Sequence, residues 1–262
     1  MRKVYVQSVG LMGPGLAGWQ AGRMVLVELA PYHVEPLPRL VPEILPATER
    51  RRSSEAVRLA VVVAQEAMNQ SSLPLNGVAT VFSSSDGDGQ TFHQICEELA
   101  APERDVSPTR FHYSVHNAPA GYWSIATGSK LPSNSLCAFD ESFAAGLLDA
   151  ASQVVVEDHA VLLVTFDLPF PQPLYQLRPV EHGFACAFLL TPNSTPDTLA
   201  GWEIFVQTGN APTAMPRIFC AALGSNPAAR ALPLLQNLAR SQDETVRLAY
   251  LSGSDVAVRC SR

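Results

Sequence analysis

The densest concentration of chemically capable residues lies in 134–146, Asn-Ser-Leu-Cys-Ala-Phe-Asp-Glu-Ser-Phe-Ala-Ala-Gly, which reads as a buried strand turning sharply into a helix. A thiol or hydroxyl at such a turn is suited to acyl transfer, because the unpaired N–H groups of the helix start favour a thiolate or an oxyanion. Cys137 and Ser142 are the two candidate nucleophiles. The tip of the turn, however, carries Phe139, Asp140 and Glu141. The two carboxylates would occupy the favourable potential themselves and would oppose a thiolate or developing oxyanion beside them. Cys137 precedes the tip by two strand residues, roughly 7 Å, and its simpler reading is a buried core cysteine. The segment has the architecture of a nucleophile turn without its chemistry.

Other groups offer less. His112 and His116 have a spacing compatible with zinc, but no glutamate stands beside the first and the setting is aromatic and proline-containing. With Asn117 they read as loop or interface residues. Residues 83–89, Ser-Ser-Ser-Asp-Gly-Asp-Gly, form a glycine-containing turn whose two aspartates would repel phosphate and which no lysine follows. Arg50, Arg51 and Arg52 at a helix start are either a solvated turn or a contact for an acidic carrier. Tyr122 and Trp123 read as packing aromatics. No metal or cofactor site is expected.

A formal net charge of −6, with lysine only at Lys3 and Lys130, provides no basic surface for nucleic acid. Hydrophobic residues make up 47% of the chain and charged residues 16%, a balance suited to a subunit that buries area against a partner. The five cysteines are odd in number and lack a Cys-x-x-Cys pair, so a disulfide framework is not expected. Three of them lie in apolar runs and read as buried. The N-terminus alternates like a strand instead of presenting a signal core, and no apolar run is long enough to span a bilayer. A soluble cytoplasmic protein is expected.

The elements that must hold the turn follow from hydrophobic periodicity. Residues 4–9 read as a strand followed by glycines, and 30–47 as a proline-rich irregular excursion. Residues 48–70 read as one helix capped by Thr48, and 77–82 as a strand ending in the 83–89 turn. A helix spans about 90–100. Residues 107–128 read as a loop running into a helix near Ala118, and the helix after the turn extends to about Val156. Two nearly all-apolar strands, 159–166 and 183–190, require a sheet covered on both faces. Beyond Pro192 the pattern is less regular, with a short helix near 230–240 and a closing hairpin of 246–251 and 256–260. The fold expected is a layered α/β architecture with a mixed sheet covered by helices. Residues 1–192 form its main domain, and 193–262 are a short extension packed on the same domain.

Four pieces of the chain resemble the N-terminal half of the β-ketoacyl synthases, which have a thiolase-type fold. They are the 83–89 turn after a strand, Ser107-Pro108 leading to Asn117-Ala118-Pro119-Ala120-Gly121, the 138–146 helix opening, and His182-Gly183-Phe184 with the apolar strand that follows. The likeness covers roughly residues 1–192. Active members carry Ala-Cys-Ser-Ser-Ser-Leu-Ala-Ala at the turn, and aligning Ser142-Phe143-Ala144-Ala145 with its last four residues puts Phe139 at the nucleophile position. Active members also need histidines from a C-terminal half, whereas no histidine follows Leu190 here.

The resemblance implies a non-catalytic ketosynthase-like subunit similar to a chain length factor, most like the short ketosynthase-like proteins of bacterial aryl polyene pathways. Its partner would be an active β-ketoacyl synthase, with acyl carrier protein contacted weakly or indirectly. Phe111, Tyr113, Val115, His116 and Asn117 would then face the partner's acyl tunnel, and Phe139 would plug the chain's own vestigial site. Two other readings stay open: a stand-alone acyl-thioester transferase or hydrolase using Cys137 or Ser142, and a homodimeric lipid- or carrier-binding module.

Overall fold

The two nearly all-apolar segments set the architecture, since strands apolar on both faces need cover on both. In a computed structural model, which describes residues 3–209 and 211–262, they lie side by side within one nine-stranded mixed sheet. The chain begins with β1 (Val4–Gly13), β2 (Leu16–Ala17), α1 (Trp19–Leu26), α2 (Ala47–Arg52), α3 (Glu55–Asn69) and β3 (Ala79–Ser83). It continues through α4 (Gly89–Ala100), α5 (Pro108–Tyr113), α6 (Ala118–Thr127), β4 (Ser133–Leu136), α7 (Ser142–Glu157) and β5 (Val161–Asp167). Then follow α8 (Leu174–Leu177), β6 (Phe184–Thr191), β7 (Ala200–Thr208), α9 (Cys220–Leu223), α10 (Leu232–Arg240), β8 (Thr245–Ala249) and β9 (Ser254–Ser261).

The strand order is β4-β3-β5-β6-β1-β7-β9-β8, with β2 paired to β1. β3 runs parallel to β4 and β5, and the remaining pairs are antiparallel. Side chains of β5 and β6 alternate between two cores. Val161, Leu163, Cys186 and Phe188 face a core built with α1, α7 and α10. Leu162, Val164, Ala185 and Ala187 face one built with α3 and α6. Each fully buried large side chain, such as Phe188 or Trp202, contributes about 1.5–3 kcal/mol. The layered α/β architecture expected from the sequence is present.

Several boundaries differ from the expectation, each for a local reason. β1 continues through Gly10 instead of ending at Val9. A Cβ at Gly10 would meet the Val63 carbonyl oxygen at 2.0 Å, so glycine is what lets α3 lie directly on the strand. The helix expected over 48–70 is two helices, broken at Ser53, and the effective cap is the Ser54 side chain, which accepts from the Val57 N–H. Residues 108–113 form the short helix α5, capped by Ser107 with Pro108 in its first turn, where a loop was expected. β7 was not anticipated; it joins both β1 and β9. Position 192 thus falls between β6 and β7, two strands that flank β1. Only Cys186 and Cys260 are buried, while Cys96, Cys137 and Cys220 are exposed.

Candidate functional site

The strand entering the turn is not buried, contrary to expectation: β4 is the edge of the sheet, and its Ser133 and Asn134 are exposed. The chain turns over 137–141 into α7, with Phe139 in the left-handed region at φ 53°. That conformation is costly for a residue with a Cβ and is maintained only where surrounding bonds enforce it. Ser142 supplies them. Its hydroxyl accepts from the Ala138 N–H at 2.9 Å and donates to the Phe139 carbonyl at 2.7 Å, and the residue is 1% exposed. The Glu141 N–H closes the turn on the Ala138 carbonyl at 3.0 Å. Below it, a Cβ at Gly146 would meet Ser83 Oγ at 2.8 Å, so glycine permits α7 to close on β3. Ser142 is a staple of the turn, with both hydrogen-bonding directions of its hydroxyl in use.

The carboxylates at the tip are bound by two arginines from distant segments. Arg178 contacts Asp140 at 2.5 Å and Asp86 at 3.5 Å; Arg230 contacts Asp140 and Glu141, both at 3.1 Å. The Arg178 guanidinium also lies 3.9 Å from the centre of the Phe139 ring, a cation–π arrangement. Phe139 is 60% exposed. Its ring stands outward, braced by Arg178.

Cys137, expected in the core, is exposed because it follows the last residue of an edge strand. Its thiol donates to the Ser85 carbonyl at 2.8 Å. His116 Nε2 lies 3.2 Å from the neighbouring Ser84 carbonyl. Thiol and imidazole therefore grip adjacent carbonyls of one turn, and among the described residues no hydrogen bond joins Cys137 to a histidine. An adjacent base is one of the ways in which a cysteine nucleophile is activated.

Of the other sequence candidates, Phe111 (65% exposed), Val115 and Asn117 face outward, as do Ile125 and Leu131. His116 is half-buried on the 83–89 turn. Tyr113 is buried, in contact with the Tyr122 ring at 5.9 Å, and the exposed His112 packs edge-on against Tyr113. Arg50 and Arg51 join Arg39, Arg58 and Glu55 around an open groove.

Sequence reasoning missed Arg178, Arg230 and Asp167. Nothing local marks the arginines, whose partners are 38 and 90 residues away. Asp167 did leave a sign, a lone acid closing a nearly all-apolar strand. It is fully buried, and its carboxyl is pushed up to about 7 by desolvation, against the opposing hydrogen bonds from Ser85 and Ser84. No helix among the described residues is long and apolar enough to cross a membrane.

Residues 28–247 match the family of the beta-ketoacyl synthase, N-terminal domain. No curated protein matches the chain. Among solved structures, a chain from a ketosynthase in complex with its chain length factor from Xenorhabdus doucetiae is similar at 22% identity and TM-score 0.74, covering 98% of this chain and 99% of that one. A chain from a type II polyketide synthase acyl carrier protein in complex with its ketosynthase is similar at 13% identity and TM-score 0.78, covering 100% and 99%. A ketosynthase of the bacillaene polyketide synthase from Bacillus amyloliquefaciens is covered over only 46% of its length, with 81% of this chain, 14% identity and TM-score 0.58. These are likenesses of fold, and the fold is the thiolase-like one of the ketosynthases.

Proposed function

From the premise that this chain belongs to the β-ketoacyl synthase family, through its N-terminal domain, we propose that it is a non-catalytic subunit of the chain length factor kind. It pairs with an active β-ketoacyl synthase and shapes the tunnel that receives the growing acyl chain in polyene- or fatty-acid-type biosynthesis. The observation that carries the reading is the turn itself. Its strained tip is occupied by Phe139, the nearby hydroxyl is consumed as a staple, and the nearby thiol bonds a carbonyl instead of a base.

The partner-facing surface follows from the edge of the sheet. β4 is paired on one side only, and an unpaired edge is a template for another chain. Around it stand exposed apolar side chains of Ile125, Leu131 and Phe139, with Phe111 and Val115 on the approach to α6. Exposed aromatic and aliphatic groups beside an open strand are what an interface buries. Phe111, Val115, His116, Asn117 and Phe139 lie at positions where bulk can limit the partner's tunnel, whereas the buried Tyr113 acts by supporting α5. The groove lined by Arg39, Arg50, Arg51 and Arg58 offers an acidic carrier protein a charged contact. Function alongside a carrier protein fits a soluble, cytoplasmic location.

Co-expression with a ketosynthase of the same pathway, followed by product analysis, tests the role. Phe111→Ala and His116→Ala are expected to change product length without abolishing synthesis, and unchanged products in both would remove these residues from the tunnel. The exposure of Cys137 keeps a second reading in view, an independent acyl-thioester transferase or hydrolase. Thioester turnover by the isolated chain that disappears with Cys137→Ala would establish that reading instead.

A further inference from the structure

Phe139 is held in the left-handed region at φ 53° with its side chain largely open to solvent. Glycine adopts that conformation at no steric cost, whereas a residue with a Cβ is strained there. An exposed ring also gains little from burial. Folding alone therefore does not account for a phenylalanine at this position, and the groups that hold its ring become the question.

Arg178 is the chief of them. Its two terminal nitrogens reach carboxylates of different turns, Nη2 lying 2.5 Å from Asp140 Oδ1 and Nη1 3.5 Å from Asp86 Oδ2. Edge contacts in two directions fix the plane of a guanidinium. The face of that plane is left for the Phe139 ring, whose centre is 3.9 Å from Cζ. Asp140 is held in turn at its other oxygen. Arg230 Nη2 lies 3.1 Å from Asp140 Oδ2, and its Nη1 lies 3.1 Å from Glu141 Oε1.

Both arginines stand on packed supports. Arg230 projects from the Ala228–Ala231 turn, whose Ala228, Ala229 and Ala231 are buried. Arg178 belongs to the connection between β5 and β6. The buried Val180 fastens that connection, as does the Asn226 amide, which donates to the carbonyls of Asp167 and His182. The Phe170 ring of the same connection lies 2.7 Å from where a Cβ at Gly89 would stand. The tip of the elbow is thus oriented from two segments that lie outside the sheet edge.

We propose that Arg178 is a positioning residue: it holds the Phe139 ring in the orientation the chain presents to its partner, and acts on product length through that ring. The three carboxylates of Asp86, Asp140 and Glu141 seat the two arginines. The effect on product length rests on the subunit reading, whereas the contact itself does not. A lysine at 178 would keep the positive charge but has no plane to stack on the ring. That difference separates positioning from simple charge pairing.

Proton NMR of the arginine-labelled, isolated chain tests the contact. Protons over a ring face are shielded, so the δ-methylene signal that Arg178→Lys removes is expected upfield of the other arginine signals. It should move downfield in Phe139→Leu and in Asp140→Asn. An unmoved signal in Phe139→Leu would overturn the proposal. Product analysis with a co-expressed ketosynthase of the same pathway tests the effect. Arg178→Lys is expected to change product length in the same direction as Phe139→Ala, and the double variant to add nothing to Phe139→Ala. Natural product length in Arg178→Lys, beside an altered one in Phe139→Ala, would overturn the positioning role, because charge alone would then suffice. Should Arg178→Lys fail to fold, Asp140→Asn, which keeps the shape of the side chain, gives the same comparison. The shielded signal together with natural products in both variants would refute the effect on product length and leave the contact standing. Failure of the chain to pair with any ketosynthase would instead refute the subunit reading, so the failures are distinguishable.

Discussion

Removing the Ser142 hydroxyl separates a structural turn from a catalytic one. In Ser142→Ala the Ala138 N–H loses its acceptor and the Phe139 carbonyl loses its closer donor, keeping only the Ser142 N–H at 3.3 Å. An unmet donor in this part-buried turn costs about 1–3 kcal/mol. Alanine returns up to about 0.5 kcal/mol through its better helix propensity. The left-handed Phe139 is meanwhile less firmly enforced. A net loss of about 2 kcal/mol follows, which for a chain of this size lowers Tm by about 4–8 °C. Ser152→Ala is the control, because that exposed hydroxyl bonds the Leu148 carbonyl within the same helix and its loss should change stability by less than about 0.5 kcal/mol. Urea denaturation of the three proteins reads the difference. Equal stability of Ser142→Ala and the natural chain would refute the staple, and loss of a thioester-cleaving activity at unchanged stability would reassign Ser142 as a nucleophile.

Two further outcomes follow from burial. Because the folded pKa of Asp167 is raised from 3.8 to about 7, its contribution is fully present below the ordinary carboxylate range and is lost as pH climbs to about 7. The upper bound is about 4 kcal/mol, read as the difference between the natural chain and Asp167→Asn in denaturation at successive pH values; parallel curves would contradict it. Gly10→Ala drives a methyl to 2.0 Å from the Val63 carbonyl oxygen and should separate α3 from β1 at a cost above about 3 kcal/mol, seen as aggregation or a collapse in Tm. A variant that folds with natural stability would show that the helix is free to move.

The sheet's centre was readable from sequence because its strands are apolar on both faces, as 161–167 and 184–191 illustrate. β7 escaped because its pattern, buried at Trp202 and Ile204 but open from Phe205 onward, is half that of an edge strand. The break at Ser53 was hidden by apolar periodicity that runs on across it, although Ser54 has the side chain of a cap. At the elbow, residue types alone located the turn, since Phe139, Asp140 and Glu141 are contiguous at its tip. The arginines that bind those acids come from the 168–183 connection and from the start of the α10 region. Ion pairs across such separations have no periodicity to reveal them. Cys137 was misplaced because it was read with the apolar residues around it, whereas the strand before it, Ser-Asn-Ser-Leu, is polar at three of four positions and lies at the edge of the sheet.

The central claim, that this chain is the silent half of a ketosynthase pair, is tested most directly by the mass of what it forms with an active ketosynthase of its own pathway. Light scattering on the co-expressed, co-purified pair is predicted to show a stable one-to-one complex, and Ile125→Asp together with Phe139→Asp beside β4 should dissociate it while leaving the isolated chain folded. A monodisperse monomer that ignores every ketosynthase of its pathway would contradict the account.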